Sequence, residues 1–269
     1  MFYDGIPQSS DNTRQPAAIG HATSNDGMVW ERAGEHPILT ADDVPFADFE
    51  VNAGPVFVDD GVWTMIFSTV DDANFSSGVI GQATATDPDG AWEIETEPIV
   101  VNGESGAWDS RFIFASSVVR DEDGYWLYYT GFGDERGGAI GLATSADGIV
   151  WEKQPDPIVV ERGSAGDWDG GEVIQPFVRQ TDAGFEMFFM GLNRGFSGAS
   201  VGYATSENGI EWTKFEDNPV VSNEDGEDWV FLSRPQAVVI DDGSYRLFFT
   251  VVHSTDRENA VYLAVGIVR

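Results

Sequence analysis

The sequence predicts an all-β fold, a five-bladed β-propeller built from four-stranded antiparallel blades. Three observations predict it. First, residues 18–38 read "AIGHATSNDGMVWERAGEHPI", and the same phrase returns at 79–99, 139–159 and 200–220. Its glycines fall at Gly20, Gly81, Gly141 and Gly202, a period of 60–61 residues. A fixed period of this kind marks a repeat architecture. Second, each unit holds short aromatic and β-branched runs bounded by Gly and Asp turns, which are strand signals. Third, no apolar pattern of helical period has useful length. A pair of β-sandwiches is the alternative, but sandwiches do not repeat every 60 or so residues.

The four strands of the unit follow in order. The first is "AGPVFVDD" (53–60), "SSVVRDED" (116–123), "QPFVRQTD" (175–182) or "RPQAVVID" (234–241). The second is the aromatic run "VWTMIFS" (62–68), "YWLYYTG" (125–131), "FEMFFMG" (185–191) or "YRLFFTV" (245–251), with "MFYDG" (1–5) as a fifth copy. The third is "IGLATS" and its copies, ending with "AVYLAVG" (260–266). A turn, "DG" in most copies, then leads to a strand that starts at Trp30, Trp92, Trp151 or Trp212 and ends in residues like "PIV". These place the blades at about 1–45, 46–105, 106–165, 166–225 and 226–269, one domain in all. On this count the first blade lacks its inner strand and the last its outer strand. The four tryptophans recur in every complete unit, so they are expected to pack between blades.

The 42% hydrophobic content of the 269 residues supports a sizeable core. No run of 18 apolar residues is present, so no transmembrane helix is expected. No basic and apolar segment opens the chain, which reads as no signal peptide and leaves the cytoplasm as the default location. The absence of cysteine excludes disulfides and thiolate chemistry. Forty-six acids face fourteen bases for a net charge of −32, and Lys153 and Lys214 are the only lysines. A field of this sign repels nucleic acid and anionic membrane, so neither is an expected partner, and the chain is expected to be a monomer. The acids are spread through turns such as Asp59-Asp60-Gly61, which describes an acidic folded surface. Scarce lysine with abundant acid is similar to the proteins of salt-accumulating halophiles. The plainer alternative is an ordinary acidic secreted or marine protein.

The phrase "ATSxDGxxWxxxxxxP", followed by "WD" and then by a "DG" turn and "YWLYYTG", resembles the five-bladed propeller glycosidases. These are the arabinanase and xylosidase group of glycoside hydrolase family 43 and the invertase and levanase group of family 32. The resemblance covers nearly the whole chain, apart from the missing first inner strand. It implies a carbohydrate partner, an axial pocket where inner strands begin, and carboxylates that divide the work of acid and base or nucleophile. In that superfamily an Asp comes from the first blade, a second from the third and a Glu from the fourth. Some members hold an axial calcium near a histidine. No residue spacing here reads as a calcium loop, so no cofactor and no metal ligand is expected.

Counting back seven residues from Pro55, Ser116, Pro176 and Pro235 gives Asp48, Asp109, Asp169 and Asp228. An Asp in all four blades reads as structural, capping a turn at the strand entry; Asp48, Asp109 and Asp169 also fall within reach of a bound sugar. Four residues before the same reference lie Val51, Phe112, Glu172 and Phe231. Glu172 is therefore the expected general acid, on the blade where the resemblance implies one, although the superfamily's own position is held by Ile174. Glu50 is the second catalytic candidate. Other polar residues that break the repeat at the same mouth are Arg111, Gln175 and Arg234. Loops reaching that face carry Arg14, Arg136, Asn193, Arg194 and His253. Such a set of arginines suits a polyhydroxylated or carboxylated ligand. Two functions remain open: a glycosidase for arabinan-, xylan- or fructan-type sugars, and a non-catalytic carbohydrate-binding or interaction propeller.

Overall fold

A computed structural model describes residues 1–6, 15–27, 29–133, 137–155, 158–195, 198–222, 229–239, 245–253 and 259–266. Its strands fall into five antiparallel sheets, each a simple meander. The first sheet holds β1 (Phe2–Gly5), β2 (Ala18–Thr23) and β3 (Glu31–Arg32). The second holds β4 (Glu50–Asp59), β5 (Val62–Val70), β6 (Ile80–Ala85) and β7 (Glu93–Ile94). The third holds β8 (Phe112–Asp121), β9 (Gly124–Phe132), β10 (Ala139–Ser145) and β11 (Glu152–Lys153). The fourth holds β12 (Glu172–Thr181), β13 (Gly184–Leu192), β14 (Ala199–Ser206) and β15 (Thr213–Lys214). The fifth holds β16 (Trp229–Val239), β17 (Tyr245–His253) and β18 (Asn259–Gly266). The only helical element among the described residues is the 3-10 turn Ala41–Asp43. The fold is an all-β propeller arrangement. Three sheets have the four strands of a complete blade, and the sheets at the two ends of the chain have three among the described residues, in line with the expected lack of a first inner and a last outer strand.

The glycine of the repeat has a packing cause. Gly20, Gly81, Gly141 and Gly202 pair directly with Tyr3, Phe67, Tyr129 and Phe189 across the second and third strands. Each ring lies flat over its glycine, and an added Cβ would meet ring carbon at 2.4–2.5 Å. The ring that crosses the glycine then stacks on a residue before the inner strand: Phe46 on Phe67, Trp108 on Tyr129, Trp168 on Phe189. One aromatic layer results in each of the three four-stranded sheets.

The outer strand is shorter than its sequence suggests. It forms only two ladder pairs in each of the first four sheets. The chain then detours and returns at "PIV"-like residues to bridge the third strand, as in Ile80 with Val100 and Ile140 with Val160. Of the four repeated tryptophans, Trp92 and Trp151 are buried and Trp212 packs against the core, but Trp30 is 39% exposed. The expectation that all four pack between blades is corrected for Trp30.

The core is a series of layers between consecutive sheets rather than one mass. Ile66 and Ile80 of the second sheet meet Leu127 and Tyr129 of the third. Tyr128 and Leu142 meet Val173 and Met187 of the fourth. Phe188 and Tyr203 meet Leu247 and Phe249 of the fifth.

Every inner strand carries a β-bulge, at Ala53/Val56, Ala115/Ser117, Ile174/Phe177 and Ser233/Gln236. Bulges free backbone N–H groups from the ladder. Here those groups turn to the neighbouring sheet. The Ala53 amide donates to Asp4 Oδ1 (2.6 Å), the Ala115 amide to Ser68 Oγ (2.9 Å) and the Gln175 amide to Thr130 Oγ1 (2.8 Å). Met190 stands where the next hydroxyl would be, and Gln175 substitutes: its Oε1 accepts the Arg234 amide at 2.8 Å. Arg234 then pairs with Asp4 Oδ2 at 2.5 Å. The chain of contacts passes through all five sheets and returns to the first.

Candidate functional site

The acids at the strand entries separate into two kinds. Asp109 and Asp169 are buried, and they take up the only two lysines of the chain: Lys153 Nζ lies 2.6 Å from Asp109 Oδ2, and Lys214 Nζ lies 2.5 Å from Asp169 Oδ2. Tyr129 also donates its hydroxyl to Asp109 (3.2 Å). Each pair ties the entry of an inner strand to the outer strand of its own sheet. Asp48 does not belong to this set. The register of β4 gives its place to Ala47, which packs on the core, and Asp48 is exposed. The count from Pro55 slipped because the bulge of β4 lies one ladder pair further along its strand than those of β12 and β16. Asp228 lies outside the described residues.

The same register corrects the comparison that isolated Glu172. Glu50 pairs with Val70, Phe112 with Phe132, Glu172 with Leu192 and Phe231 with Val252. Glu50, not Val51, is therefore the counterpart of Glu172, and the four inner strands alternate Glu, Phe, Glu, Phe. Glu50 is 1% exposed; it accepts the Ala17 amide on Oε2 (3.2 Å) and the Asn52 side-chain amide on Oε1 (3.1 Å). Glu172 is half-buried against Gly137 and Gly138. Burial pushes its carboxyl up, while the Gly138 amide and the Arg162 charge pull the other way and lose. Ala17 and Gly138 sit at the same point of the preceding sheet, just before the third strand. Both glutamates thus receive an amide from the neighbouring sheet. They sit two sheets apart in the ring.

Between the two lies an open cavity of about 390 Å³. Phe75, from the loop after β5, and Phe112, Phe114 and Phe132, from β8 and β9, supply its apolar wall. Phe112 stacks on Phe132 with ring centroids 4.4 Å apart and meets Phe114 edge-on. Ile174 and Gln175 of β12 form the opposite side, and Arg111, Asn74 and Thr130 supply further polar groups. The cavity opens where β8 begins and β9 ends. Its described lining includes Arg111 and Gln175 from the sequence candidates and no carboxylate.

The remaining candidates are scattered. Arg234 is held at Asp4, as described. Arg194 donates from Nε to the Gly170 carbonyl (3.3 Å), and Asn193 Oδ1 accepts the Gly195 amide (3.1 Å), so both shape the loop after β13. His253 ends β17, but its side chain, like Arg14 and Arg136, lies outside the described residues. Among the described residues no group of three or more His, Asp or Glu is arranged to hold a metal ion. The phenylalanines of the cavity and Asp4 were missed from the sequence. Asp4 had a visible signal, being the one acid in the aromatic-strand repeat where Ser68, Thr130 and Thr250 stand.

No family model matches the chain. Two proteins of Mycobacterium tuberculosis, the uncharacterized proteins MT1551 and Rv1502, are each 29% identical over 207 residues. The match takes in 72% of this chain and 66% of each relative, so the chain spans just under two thirds of the length of the curated relatives it matches. Among solved structures, a glycoside hydrolase superposes with a TM-score of 0.81 at 15% identity, covering 98% of this chain and 86% of the other. A thermostable family-43 glycoside hydrolase gives 0.76 at 16% identity over 98% and 90%. An exo-1,5-alpha-L-arabinanase from a bovine ruminal metagenomic library gives 0.69 at 15% identity over 98% and 87%. The chain therefore shares the propeller fold of these glycoside hydrolases.

Proposed function

We propose that this chain is a glycosidase with five blades around one axis, acting on arabinan-, xylan- or fructan-type carbohydrate at the mouth where the inner strands begin. The observation that carries the reading is Glu172, a half-buried carboxyl with its pKa raised by burial. It lies on the same inner strand as Ile174 and Gln175 of the open cavity. A carboxyl whose proton is held more tightly than usual by burial suits the protonation of a glycosidic oxygen. Asp4, with 12% of its side chain exposed and facing Arg234, is a better partner carboxylate than Glu50, which is sealed from any ligand. The likeness to glycoside hydrolases over 98% of the chain supports the same reading, and the contacts that link all five sheets support five blades.

A second reading, a carbohydrate-binding propeller without hydrolysis, is favoured by the lack of a carboxylate among the described residues that line the cavity. One experiment separates them. The purified chain is assayed on arabinan, xylan, fructan and nitrophenyl glycosides beside Glu172→Gln. The enzyme reading expects turnover that falls by roughly 10²–10⁴-fold in the variant, the usual worth of a general acid, with folding intact. An inactive wild type whose melting temperature still rises with a sugar selects the binding reading.

A further inference from the structure

The cavity beside Phe112 has a chemistry that a neutral-sugar site does not need. Its apolar wall is aromatic, and the one charged side chain of its described lining is cationic, within a chain of net charge −32. The Arg111 backbone is fixed from two sides: its amide donates to the Phe132 carbonyl (2.9 Å), and Asn102 donates to its carbonyl (3.0 Å). Its guanidinium makes one long hydrogen bond, from Nη2 to the Phe75 carbonyl (3.4 Å), and no ion pair among the described residues. Arg120, Arg179, Arg234, Lys153 and Lys214 each have a carboxylate partner. The Gln175 side-chain amide, whose Oε1 is used by Arg234, adds a donor at the opposite side.

Backbone strain gathers at the same place. Four described residues other than glycine have positive φ: Asp60, Phe75, Gln175 and Arg234. Asp60 sits in an Asp-Gly hairpin turn, where that conformation is ordinary. Phe75 (φ 56°) and Gln175 (φ 51°) line the cavity from opposite sides, and the Arg234 amide is held by Gln175. Asp72 pins the Phe75 loop by accepting the Asn74 and Ser76 amides. Left-handed conformations of bulky residues persist where surrounding structure enforces them, and they cluster at ligand sites.

We propose that this cavity is a subsite for an acidic sugar, a hexuronate whose ring lies against the phenylalanine wall and whose carboxylate is taken by Arg111. Planar guanidinium matches a carboxylate with two parallel N–H donors, and aromatic walls with few placed polar groups are the usual make-up of small-molecule pockets. The proposal rests on the carbohydrate reading above and not on hydrolysis. It is tested by calorimetric titration of the wild type with D-galacturonate and D-glucuronate, with D-galactose and D-glucose, and with benzoate. About 0.5 M KCl screens the long-range repulsion of the chain. The uronates are expected to bind at least tenfold more tightly than the neutral sugars. Arg111→Gln should weaken uronate binding by about tenfold, roughly 1.4 kcal/mol, and leave neutral sugars unchanged. Arg111→Lys, which keeps the charge and loses the fork, should fall between and serves if the first variant does not fold. Equal affinity for acidic and neutral sugars, no uronate binding, or an unaltered Arg111→Gln overturns the proposal. Benzoate bound in preference to the uronates overturns the sugar assignment. Because binding is read without turnover, an inactive wild type leaves these outcomes unchanged, and an active enzyme that ignores uronates refutes this inference alone.

Discussion

At the scale of single residues, the two lysines carry the clearest energetic statement. A chain that uses almost no lysine spends both on buried aspartates at equivalent points of two adjacent sheets. A buried ion pair adds little net stability against an apolar replacement of both partners, but removing one partner strands a charge. Lys153→Met is therefore expected to destabilise the fold by roughly 3–5 kcal/mol, toward the lower figure because the Tyr129 hydroxyl still reaches Asp109. Lys153→Met with Asp109→Asn should recover much of that loss. Urea unfolding of the three proteins checks it, and a single variant as stable as the wild type would show that the pair is not a clamp. The recurrence of Asp109 and Asp169 was legible in the sequence, where it read as a turn cap within reach of a sugar; the structure shows ion pairs with lysine instead of a cap. Their partners were not legible, because Lys153 and Lys214 lie 44 and 45 residues downstream and only the meander of the sheet returns them. The site residues were legible in part for a similar reason. Arg111 and Gln175 stood out as polar breaks in the repeat, whereas Phe75 and Phe114 look like ordinary apolar residues until the loop after β5 folds over β8.

At the scale of the element, the repeat itself was the strongest signal, and the glycine explains why. The aromatic second strand and the glycine third strand form one interlocking unit, so neither can change without the other. Gly141→Ala would set a Cβ 2.5 Å from Cζ of Tyr129, a ring that is fully buried and stacked on Trp108. Overpacking of this kind is expected to cost about 1–3 kcal/mol. Gly34→Ala is the control: its nearest neighbour would be 3.9 Å away, and its effect should stay within about 0.5 kcal/mol. Thermal unfolding of both variants reads the difference, and equal melting temperatures would remove the interlock. The inner strand was harder to read. Its bulge places two residues opposite one, at Gly54-Pro55, at Gln175-Pro176 and at Arg234-Pro235. Proline takes the second place of each of these bulges, but the bulge of β4 faces Ile66, one ladder pair further along than the bulges of β12 and β16, which face Phe189 and Phe249. Counting from Pro55 slipped the second sheet by one residue and hid the equivalence of Glu50 and Glu172. A one-residue slip moves every side chain to the other face, which is why strand existence was readable and the site's register was not.

At the scale of the whole molecule, the charge decides how the propeller responds to its solvent. Each layer between sheets is held by apolar contact, but the chain carries 46 acids against 14 bases. Few of those acids are paired: among the described residues the ion pairs of Lys and Arg occupy Asp4, Asp59, Asp109, Asp169 and Glu186. The exposed acids repel one another at distances that salt controls. The Debye length falls from about 10 Å at 0.1 M to about 3 Å at 1 M, so repulsion between neighbouring turns is screened over that range. The buried pairs of Asp109 and Asp169 respond little, because screening acts weakly inside the fold. The net effect is stabilising, and the melting temperature should rise steadily from dilute buffer to molar KCl. KCl is the salt to use, since sulfate stabilises proteins by exclusion whatever their charge. A flat or falling curve would mean that the acids are already spaced beyond mutual influence, and the composition would then say nothing about a salt-rich setting.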